Sequence, residues 1–300
     1  KTEGRGRCDV RRRRERSPDG PHRHDRQEGC LDRPRDPLPT RVDACPPLPT
    51  AYHDALEAGL DALGVALEPA ARAAVDGHVR LLLAWNVAIN LTAITDPAAV
   101  AVRHVLDSLA AVPALRARRL DRFVDLGSGG GFPGIPLAAV LPADRALLID
   151  SIGKKVRFLA TVVEAVGLGT SVAAEAARSE SLAQDRADRG RWPAVTARAV
   201  APLADLIELA LPLLVAGGVL IAWKRGEATD PAGLGGEIAI ARRAIAAIDP
   251  GARLTVESPI GQAPALADLI EHRLVVVERG PDRIDPDWPR DPATRKRHPW

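Results

Sequence analysis

Cysteine is scarce and methionine is missing in this sequence of 300 residues, which contains three cysteines and no methionine. The cysteines are Cys8, Cys30 and Cys45, so all of them precede the region whose pattern predicts a folded core. We therefore expect no disulfide, no zinc site and no other metal site in that core. Chemistry that needs a cysteine nucleophile, such as ring activation before methylation at carbon 5 of a pyrimidine, is excluded there for the same reason.

Long hydrophobic runs are missing as well. No stretch reaches the eighteen or so consecutive apolar residues of a membrane-spanning helix. The N-terminal arginines are not followed by the apolar segment of a secretory signal. We therefore expect a cytoplasmic protein without a membrane partner.

An excess of one charge is missing from the body of the chain. The whole sequence has 41 Lys and Arg against 39 Asp and Glu, and the first 50 residues hold 13 of the former and 9 of the latter. The remainder is nearly neutral. Any contact with a nucleic acid must then come from a local basic patch, which has to be found by position.

The two ends of the chain are rich in arginine and proline. Residues 1–48 contain the block Arg11 to Arg14 and almost no periodic apolar pattern, which predicts a disordered segment. Two interpretations stay open for it: a basic arm for RNA, or a segment foreign to the natural protein, as the absence of methionine suggests. Residues 281–300 are predicted to form an extended basic tail.

The middle of the chain changes its hydrophobic rhythm near residue 119. Residues 49–118 have apolar side chains at three- and four-residue spacing, which predicts a helical cap of three helices, the third of them capped by Asp96-Pro97. Residues 119–280 alternate short apolar runs with amphipathic helices, which predicts a doubly wound, mostly parallel α/β sheet. Ligands should bind at the carboxyl ends of its strands.

A glycine-rich turn follows the first predicted strand, in Asp125 to Gly134. A dinucleotide fingerprint needs glycine at position 132, where this chain has Phe132. An acid two residues before the first glycine would repel a pyrophosphate, whereas it would favour the ammonium and sulfonium of S-adenosylmethionine. We therefore predict that Asp125, Gly127 and Gly129 contact S-adenosylmethionine and that Asp150, at the end of the second strand, accepts its ribose hydroxyls.

The chain resembles the bacterial 16S ribosomal RNA guanine-N7 methyltransferases, the RsmG family, also called glucose-inhibited division protein B. The resemblance runs from about residue 53 to residue 279. Its motifs are Trp85-Asn86, Asn90-Leu91-Thr92, Arg103-His104, Leu106-Asp107-Ser108, Asp125 to Pro136, Asp150 to Leu159, Arg178-Ser179-Glu180, Ala197 to Leu203, and Gly217-Gly218 ahead of Lys224. Residues 1–48 have no counterpart in the family's pattern.

The resemblance implies a class I, S-adenosylmethionine-dependent methyltransferase with a Rossmann-like, seven-stranded sheet. It implies 16S ribosomal RNA, or the small ribosomal subunit, as the partner. It also implies contacts with the methyl donor at five positions. These are Gly127, Phe132, Ser179, Glu180 and Arg198.

Lysine is confined to three positions between residues 51 and 280, and all three follow predicted strands. We predict that Lys154, Lys155 and Lys224, with Arg157, contact RNA phosphates near the donor site. A solvated helix face is the alternative for the first two lysines.

His104 and Asp107 share a face of the third predicted helix. They fit either a proton relay or a structural hydrogen bond between the helices and the sheet. No catalytic residue is assigned, because guanine N7 has a free lone pair and its methylation needs no base.

Two other functions fit the same sequence. One is a methyltransferase of a small molecule or a protein, and the other is a non-catalytic RNA-binding protein with the same fold. Salt-sensitive RNA binding would argue against the first. Methyl transfer to ribosomal RNA would exclude the second.

Overall fold

Helices precede the sheet along the chain, as the hydrophobic spacing predicted. The computed structural model describes residues 37–118, 120, 122–141 and 144–300, so the Arg11 to Arg14 block lies outside the described residues. The first helices are α1 (Thr50–Leu63), α2 (Pro69–Ile89), α3 (Pro97–Val100), α4 (Asp107–Leu109) and α5 (Val112–Ala117), with a π-helical turn (Ala101–Leu106) between α3 and α4. Asp96 caps α3 as predicted, since its side chain accepts a hydrogen bond from the Ala99 amide at 2.8 Å.

In the described part of the chain the sheet has seven strands, which alternate with helices along most of their length in sequence, as the hydrophobic pattern predicted. The strands are β1 (Arg122–Leu126), β2 (Arg145–Asp150), β3 (Val172–Ala176), β4 (Trp192–Arg198), β5 (Leu214–Arg225), β6 (Arg253–Glu257) and β7 (His272–Glu278). Their order is β3-β2-β1-β4-β5-β7-β6; β7 pairs antiparallel with β5 and β6, and the other neighbouring strands pair parallel. The predicted doubly wound, mostly parallel α/β fold is confirmed.

The remaining helices cover the sheet on its two faces. They are α6 (Gly134–Val140), α7 (Gly153–Ala165), α8 (Ser179–Gln184), α9 (Leu203–Ala210), α10 (Leu234–Ile248) and α11 (Pro292–Arg297). One hydrophobic core joins α1, α2, the α3–α5 segment and α7 to one face, and a second joins α8, α9 and α10 to the other. Residues 38–300 form one folded unit, so the predicted helical cap packs as part of the main core.

The α3–α5 segment, Pro97–Ala117, is long and apolar enough to cross a membrane by length and composition alone. Most of it is buried within the protein, however. Val100, Val105, Leu106 and Leu109 have no exposed surface. Packing against α1 and the sheet therefore accounts for its apolar composition.

The predicted disordered segment ends earlier than residue 48. Residues 38–48 are folded: the Trp85 indole donates to the Pro39 carbonyl at 2.7 Å, and the Arg80 guanidinium donates to the Pro46 carbonyl at 2.9 Å. Cys45 is buried between these contacts, and burial raises the pKa of its thiol. The folded unit thus contains one thiol, which the cysteine pattern had placed outside it.

The C-terminal segment is folded as well, and the prediction of an extended tail is wrong. The Arg290 guanidinium donates to the fully buried Glu208 carboxylate at 2.7 Å. The Trp300 indole donates to the same carboxylate at 2.9 Å and its ring stacks on Trp288 with centroids 5.7 Å apart. A buried carboxylate with these partners holds residues 288–300 against α9.

The fold brings the ends of β1 and β4 together. β2 lies on one side of β1 and β4 on the other, so the chain leaves the sheet in opposite directions at this point. Such a switch point opens a crevice outside the carboxyl ends of the strands, where α/β proteins bind their ligands.

Candidate functional site

The glycine turn after β1 adopts backbone angles that suit glycine. Gly127, Gly129 and Gly131 have φ values of +66°, +55° and +88°. A Cβ atom on Gly127 would lie 2.8 Å from a Val200 methyl, and one on Gly131 would lie 2.7 Å from Nε2 of His78. The turn therefore needs glycine for its conformation and for its close packing.

Asp125 lies beneath this turn, with no exposed surface. Its Oδ1 accepts a hydrogen bond from the Thr196 hydroxyl at 2.7 Å, and burial raises the pKa of its carboxyl group to about 6. A covered carboxylate cannot contact a ligand in the crevice. The prediction of a direct contact between Asp125 and the donor is therefore corrected: Asp125 joins β1 to β4 under the turn.

Asp150 ends β2 and holds the turn from the other side. Its Oδ2 accepts the Gly129 amide at 3.0 Å, and its Oδ1 accepts the Ile152 amide at 2.8 Å. Its carboxylate borders the crevice, and each oxygen has a second lone pair for a further donor. The position fits the predicted contact with ribose hydroxyls, which stays a prediction.

A first cavity of about 390 Å³ opens beside Asp150. It is lined by Gly127 and, at the start of α8, by Ser179 and Glu180. The structure thus brings together four of the residues predicted to contact the donor. We call this space the nucleoside cavity.

A second cavity of about 350 Å³ continues past the glycine turn. It is lined by Gly129, Phe132, His104 and Arg198. Gly127, Lys155 and Ala199 border both this space and the nucleoside cavity. We call this second space the methyl cavity, and the two together hold every predicted donor contact except Asp125.

An ion pair joins the helical region to the sheet at the methyl cavity. The Arg198 guanidinium donates to the Asp107 carboxylate at 2.8 Å, and the other Asp107 oxygen lies 2.7 Å from Nδ1 of His272. His104 lies 3.2 Å from Arg198 and 2.7 Å from the Thr92 hydroxyl. His104 and Asp107 therefore meet through Arg198, as structural partners, and the direct relay between them is not formed.

Aromatic and cationic groups surround the Phe132 ring in the methyl cavity. His104 stacks on it with centroids 4.8 Å apart, His78 lies 4.4 Å away, and the Arg198 guanidinium carbon lies 5.4 Å from its centre. Cation–π attraction and stacking hold these groups in one arrangement. Phe132 is thus the common support for the polar groups of the cavity.

Both histidines of this cluster are neutral at physiological pH. Burial lowers the pKa of His78 to about 3, and the nearby His104 and Arg198 add to the effect. Burial, followed by the charge of Arg198, lowers the pKa of His104 to about 4. Neither imidazole is placed to act as an acid with a pKa near 7.

The predicted RNA contacts separate into two groups. Lys154 and Arg157 are exposed on α7, and Lys155 lies at the border of both cavities. Lys224 instead donates to the Glu237 carboxylate at 2.5 Å and to the Ala201 carbonyl at 3.2 Å, with only 14% of its side chain exposed. The predicted phosphate contact of Lys224 is therefore corrected to an internal ion pair.

Sequence reasoning missed three residues of the site. Ala199 has a φ of +58°, which is rare for alanine, and it borders the two cavities. His272 comes from β7, and Arg295 comes from α11 to line the nucleoside cavity. None of the three is marked by a local signal in the sequence, because alanine rarely adopts a positive φ and the other two residues reach the site through long-range contacts.

Metal ligands do not cluster in the part of the chain that the structure describes. No group of three or more His, Cys, Asp or Glu side chains there is arranged to hold a metal ion. The polar groups of the site are held instead by the hydrogen bonds and ion pairs given above.

Known proteins resemble this chain over most of its folded part. The sequence model of the GidB family, described as rRNA small subunit methyltransferase G, matches residues 72–233. The ribosomal RNA small subunit methyltransferase G of Desulfitobacterium hafniense is 35% identical over 218 residues, which cover 73% of this chain and 84% of that protein. The protein of the same name from Stenotrophomonas maltophilia is 43% identical over 178 residues, covering 59% of this chain and 79% of that protein.

Solved structures of methyltransferases resemble the fold more distantly. An O-methyltransferase from Bacillus cereus, in complex with SAH, aligns with a TM-score of 0.49 and 19% identity over 68% of this chain and 91% of that chain. The assignment therefore depends on the sequence matches, which cover more than half of the chain and include the glycine turn, Asp150 and Arg198. The chain belongs to the GidB family of small-subunit ribosomal RNA methyltransferases, which confirms the resemblance seen in its motifs.

Proposed function

We propose that this protein transfers a methyl group from S-adenosylmethionine to N7 of a guanine in the 16S RNA of the small ribosomal subunit, in the cytoplasm. The family assignment makes it an rRNA methyltransferase that uses S-adenosylmethionine. The target atom and the ribosomal particle are the proposal. The observation that carries it is the pair of joined cavities at the ends of β1 and β4, lined by the family's motifs.

The two cavities fit the two ends of the donor. In the nucleoside cavity, Asp150 would hold the ribose hydroxyls, and Ser179 with Glu180 would accept the adenine amino group. In the methyl cavity, the Gly127 turn and Arg198 would hold the aminoacyl end, since a guanidinium matches its carboxylate. When bound, the donor supplies an electrophilic methyl group on a sulfonium.

A third cavity of about 230 Å³ adjoins the methyl cavity on the side of β5. Arg198, Ala199 and His272 border both cavities. Trp223 lines the third cavity and does not line the methyl cavity. We assign this third cavity to the target guanine, because it opens beside the position where the methyl group would lie. An RNA base must be unstacked to reach such a pocket.

Methyl transfer to guanine N7 requires the side chains mainly to position the two substrates. Guanine N7 has a free lone pair, so the transfer is a displacement in line with the sulfur–carbon bond, and no proton has to be removed. Alignment alone can supply an effective molarity of about 10⁵–10⁸ M. The neutral His104 and the paired Arg198 suit this work, because His104 does not titrate near pH 7 and the ion pair with Asp107 holds the Arg198 guanidinium in place.

RNA would approach along α7. Lys154 and Arg157 are exposed there, and Lys155 stands at the edge of the cavities, so phosphates can bind beside the donor. The described surface as a whole does not carry an excess of positive charge, since the chain beyond residue 50 is nearly neutral.

The substrate class is tested by incubating the protein with the three candidate substrate classes in parallel. Cells that lack this protein provide small ribosomal subunits, a ribosome-free protein fraction and a small-molecule fraction, each incubated with methyl-labelled S-adenosylmethionine. We expect label in 16S RNA alone, and no label with Gly129→Val, whose side chain is incompatible with the turn. Label in the protein or small-molecule fraction, or RNA binding without any transfer, would refute the proposal in favour of the alternatives.

A further inference from the structure

The C-terminal segment reaches the nucleoside cavity although it lies outside the family match. The match ends at residue 233, and α11 begins at Pro292. Arg295 of α11 lines the nucleoside cavity and forms an ion pair with Glu180. This side chain is mostly buried, with 12% of its surface exposed, and the Glu180 side chain is 17% exposed.

The segment that carries Arg295 is fixed at both ends of α11. Before the helix, the Arg189 guanidinium donates to the Trp288 carbonyl at 2.6 Å and to the Asp285 carbonyl at 2.8 Å. After it, the Trp300 indole donates to the buried Glu208 carboxylate at 2.9 Å. Arg295 is therefore presented to the cavity by an anchored structure, so its contact with Glu180 is part of the fold.

The ion pair involves one oxygen of Glu180. Arg295 donates to Oε1, and in the described part of the chain no other residue is bonded to this carboxylate. A second carboxylate, that of Asp150, borders the same cavity. An adenine ring bound over Glu180 would remove its carboxylate from water, and the negative charge of Asp150 would add repulsion. The positive charge of Arg295 lowers the free-energy cost of this burial.

We propose that Arg295 is a positioning residue for the nucleobase of the methyl donor. It orients the Glu180 carboxylate, balances its charge, and leaves Oε2 to accept the adenine amino group. A base with a carbonyl at that position, such as hypoxanthine, would set one acceptor against another and be rejected. The inference rests on the proposed function only in taking the nucleoside cavity as the adenine site.

Calorimetry with two ligands tests the proposal. S-adenosylhomocysteine and S-inosylhomocysteine differ at the base position that faces Glu180 under the proposal. In Arg295→Ala we expect the affinity for the adenosyl ligand to fall about tenfold and the affinity for the inosyl ligand to change little, so that the preference between them shrinks. Arg295→Lys should keep part of the preference, since it keeps the charge without the guanidinium geometry.

Two further variants separate positioning from folding. Arg297→Ala is the matched control, because Arg297 lies on the same helix and its hydrogen bonds within the described residues go to Ala293 and Thr294 of that helix. It should bind both ligands as the unchanged protein does. In a Glu180→Gln background, Arg295→Ala should have no further effect on the preference, because its partner is already neutral.

Three results would overturn the inference. The first is unchanged binding in Arg295→Ala. The second is tighter binding in this variant, which would show that the segment competes with the donor. The third is an equal loss of affinity for both ligands together with a lower melting temperature, which would show a purely structural contact. The proposed function fails separately, if the unchanged protein binds S-adenosylhomocysteine but does not methylate ribosomal RNA.

Discussion

Arg198 and Asp107 form an ion pair 2.8 Å long that ties the helical region to the end of β4. Only 16% of the arginine side chain and 3% of the aspartate side chain are exposed. Asp107 also holds His272, so one carboxylate fixes groups from β4 and β7 at the methyl cavity. The binding groups of the site are thus arranged by the contact that joins the two parts of the fold.

Asp107→Ala should destabilise the protein strongly. It leaves the Arg198 guanidinium buried without its partner, and such losses cost about 3–5 kcal/mol. Urea unfolding measures the change. Asp268→Ala is the matched control, because it removes the exposed ion pair with Arg103, which contributes about 0–1 kcal/mol. Equal effects of the two substitutions would contradict the structural importance of the buried pair.

Acid should destabilise the protein through its two buried histidines. The folded-state pKa of His78 is about 3 and that of His104 about 4, both below the unfolded value of 6.5. Below pH 6.5 the unfolded chain therefore binds two histidine protons that the folded chain does not. Asp125, whose folded-state pKa of about 6 lies above its ordinary value of 3.8, offsets one of them below pH 6. The net effect is that stability falls as the pH drops from about 6.5 towards 4. His78→Gln should flatten this part of the profile in urea unfolding, and an unaltered slope would disprove the assignment.

Asp150 and Asp125 should differ in their effect on donor binding. Asp150 borders the nucleoside cavity, so Asp150→Ala should weaken the binding of S-adenosylmethionine by about tenfold or more. Asp125→Asn keeps an oxygen for the Thr196 hydroxyl under the turn and should change the affinity much less. Calorimetry compares the two. The opposite order of effects would show that Asp125 reaches the donor.

Basic residues on α7 should control the salt dependence of RNA binding. Replacing Lys154 and Arg157 by alanine should weaken RNA binding and reduce the slope of log K against log salt by about 0.7–0.9 for each phosphate that the protein no longer neutralises. Lys224→Ala is the control, because Lys224 is bonded to Glu237. It should lower the stability and leave the salt slope unchanged. A reduced slope in the control alone would show that Lys224, and not the α7 residues, binds RNA.

The parts of the site that could be predicted from the sequence are those set by local pattern. The glycine turn needs glycine for its own backbone angles, and Asp150 ends a buried strand, so both could be recognised from a few adjacent residues. The carboxyl ends of parallel strands meet at one edge, which is why Ser179 and Arg198 could be placed along the same crevice, where they line the nucleoside cavity and the methyl cavity.

The parts that could not be predicted depend on distant partners. Lys224 looked like a phosphate ligand because nothing near it in sequence shows that Glu237 packs against it. Arg295 lies 115 residues from Glu180, in a segment whose composition is typical of a disordered tail. Asp125 precedes the glycines as a ligand would, yet its place in a central strand buries it.

The identity and position of the methylated nucleoside test the central claim most directly. Small subunits from cells lacking the protein are incubated with it and methyl-labelled S-adenosylmethionine, and the 16S RNA is digested, mapped and analysed by mass spectrometry. We predict N7-methylguanosine at a single guanine, absent with Gly129→Val. A different methylated nucleoside, or an unlabelled RNA that nevertheless binds the protein together with the donor, would contradict the account.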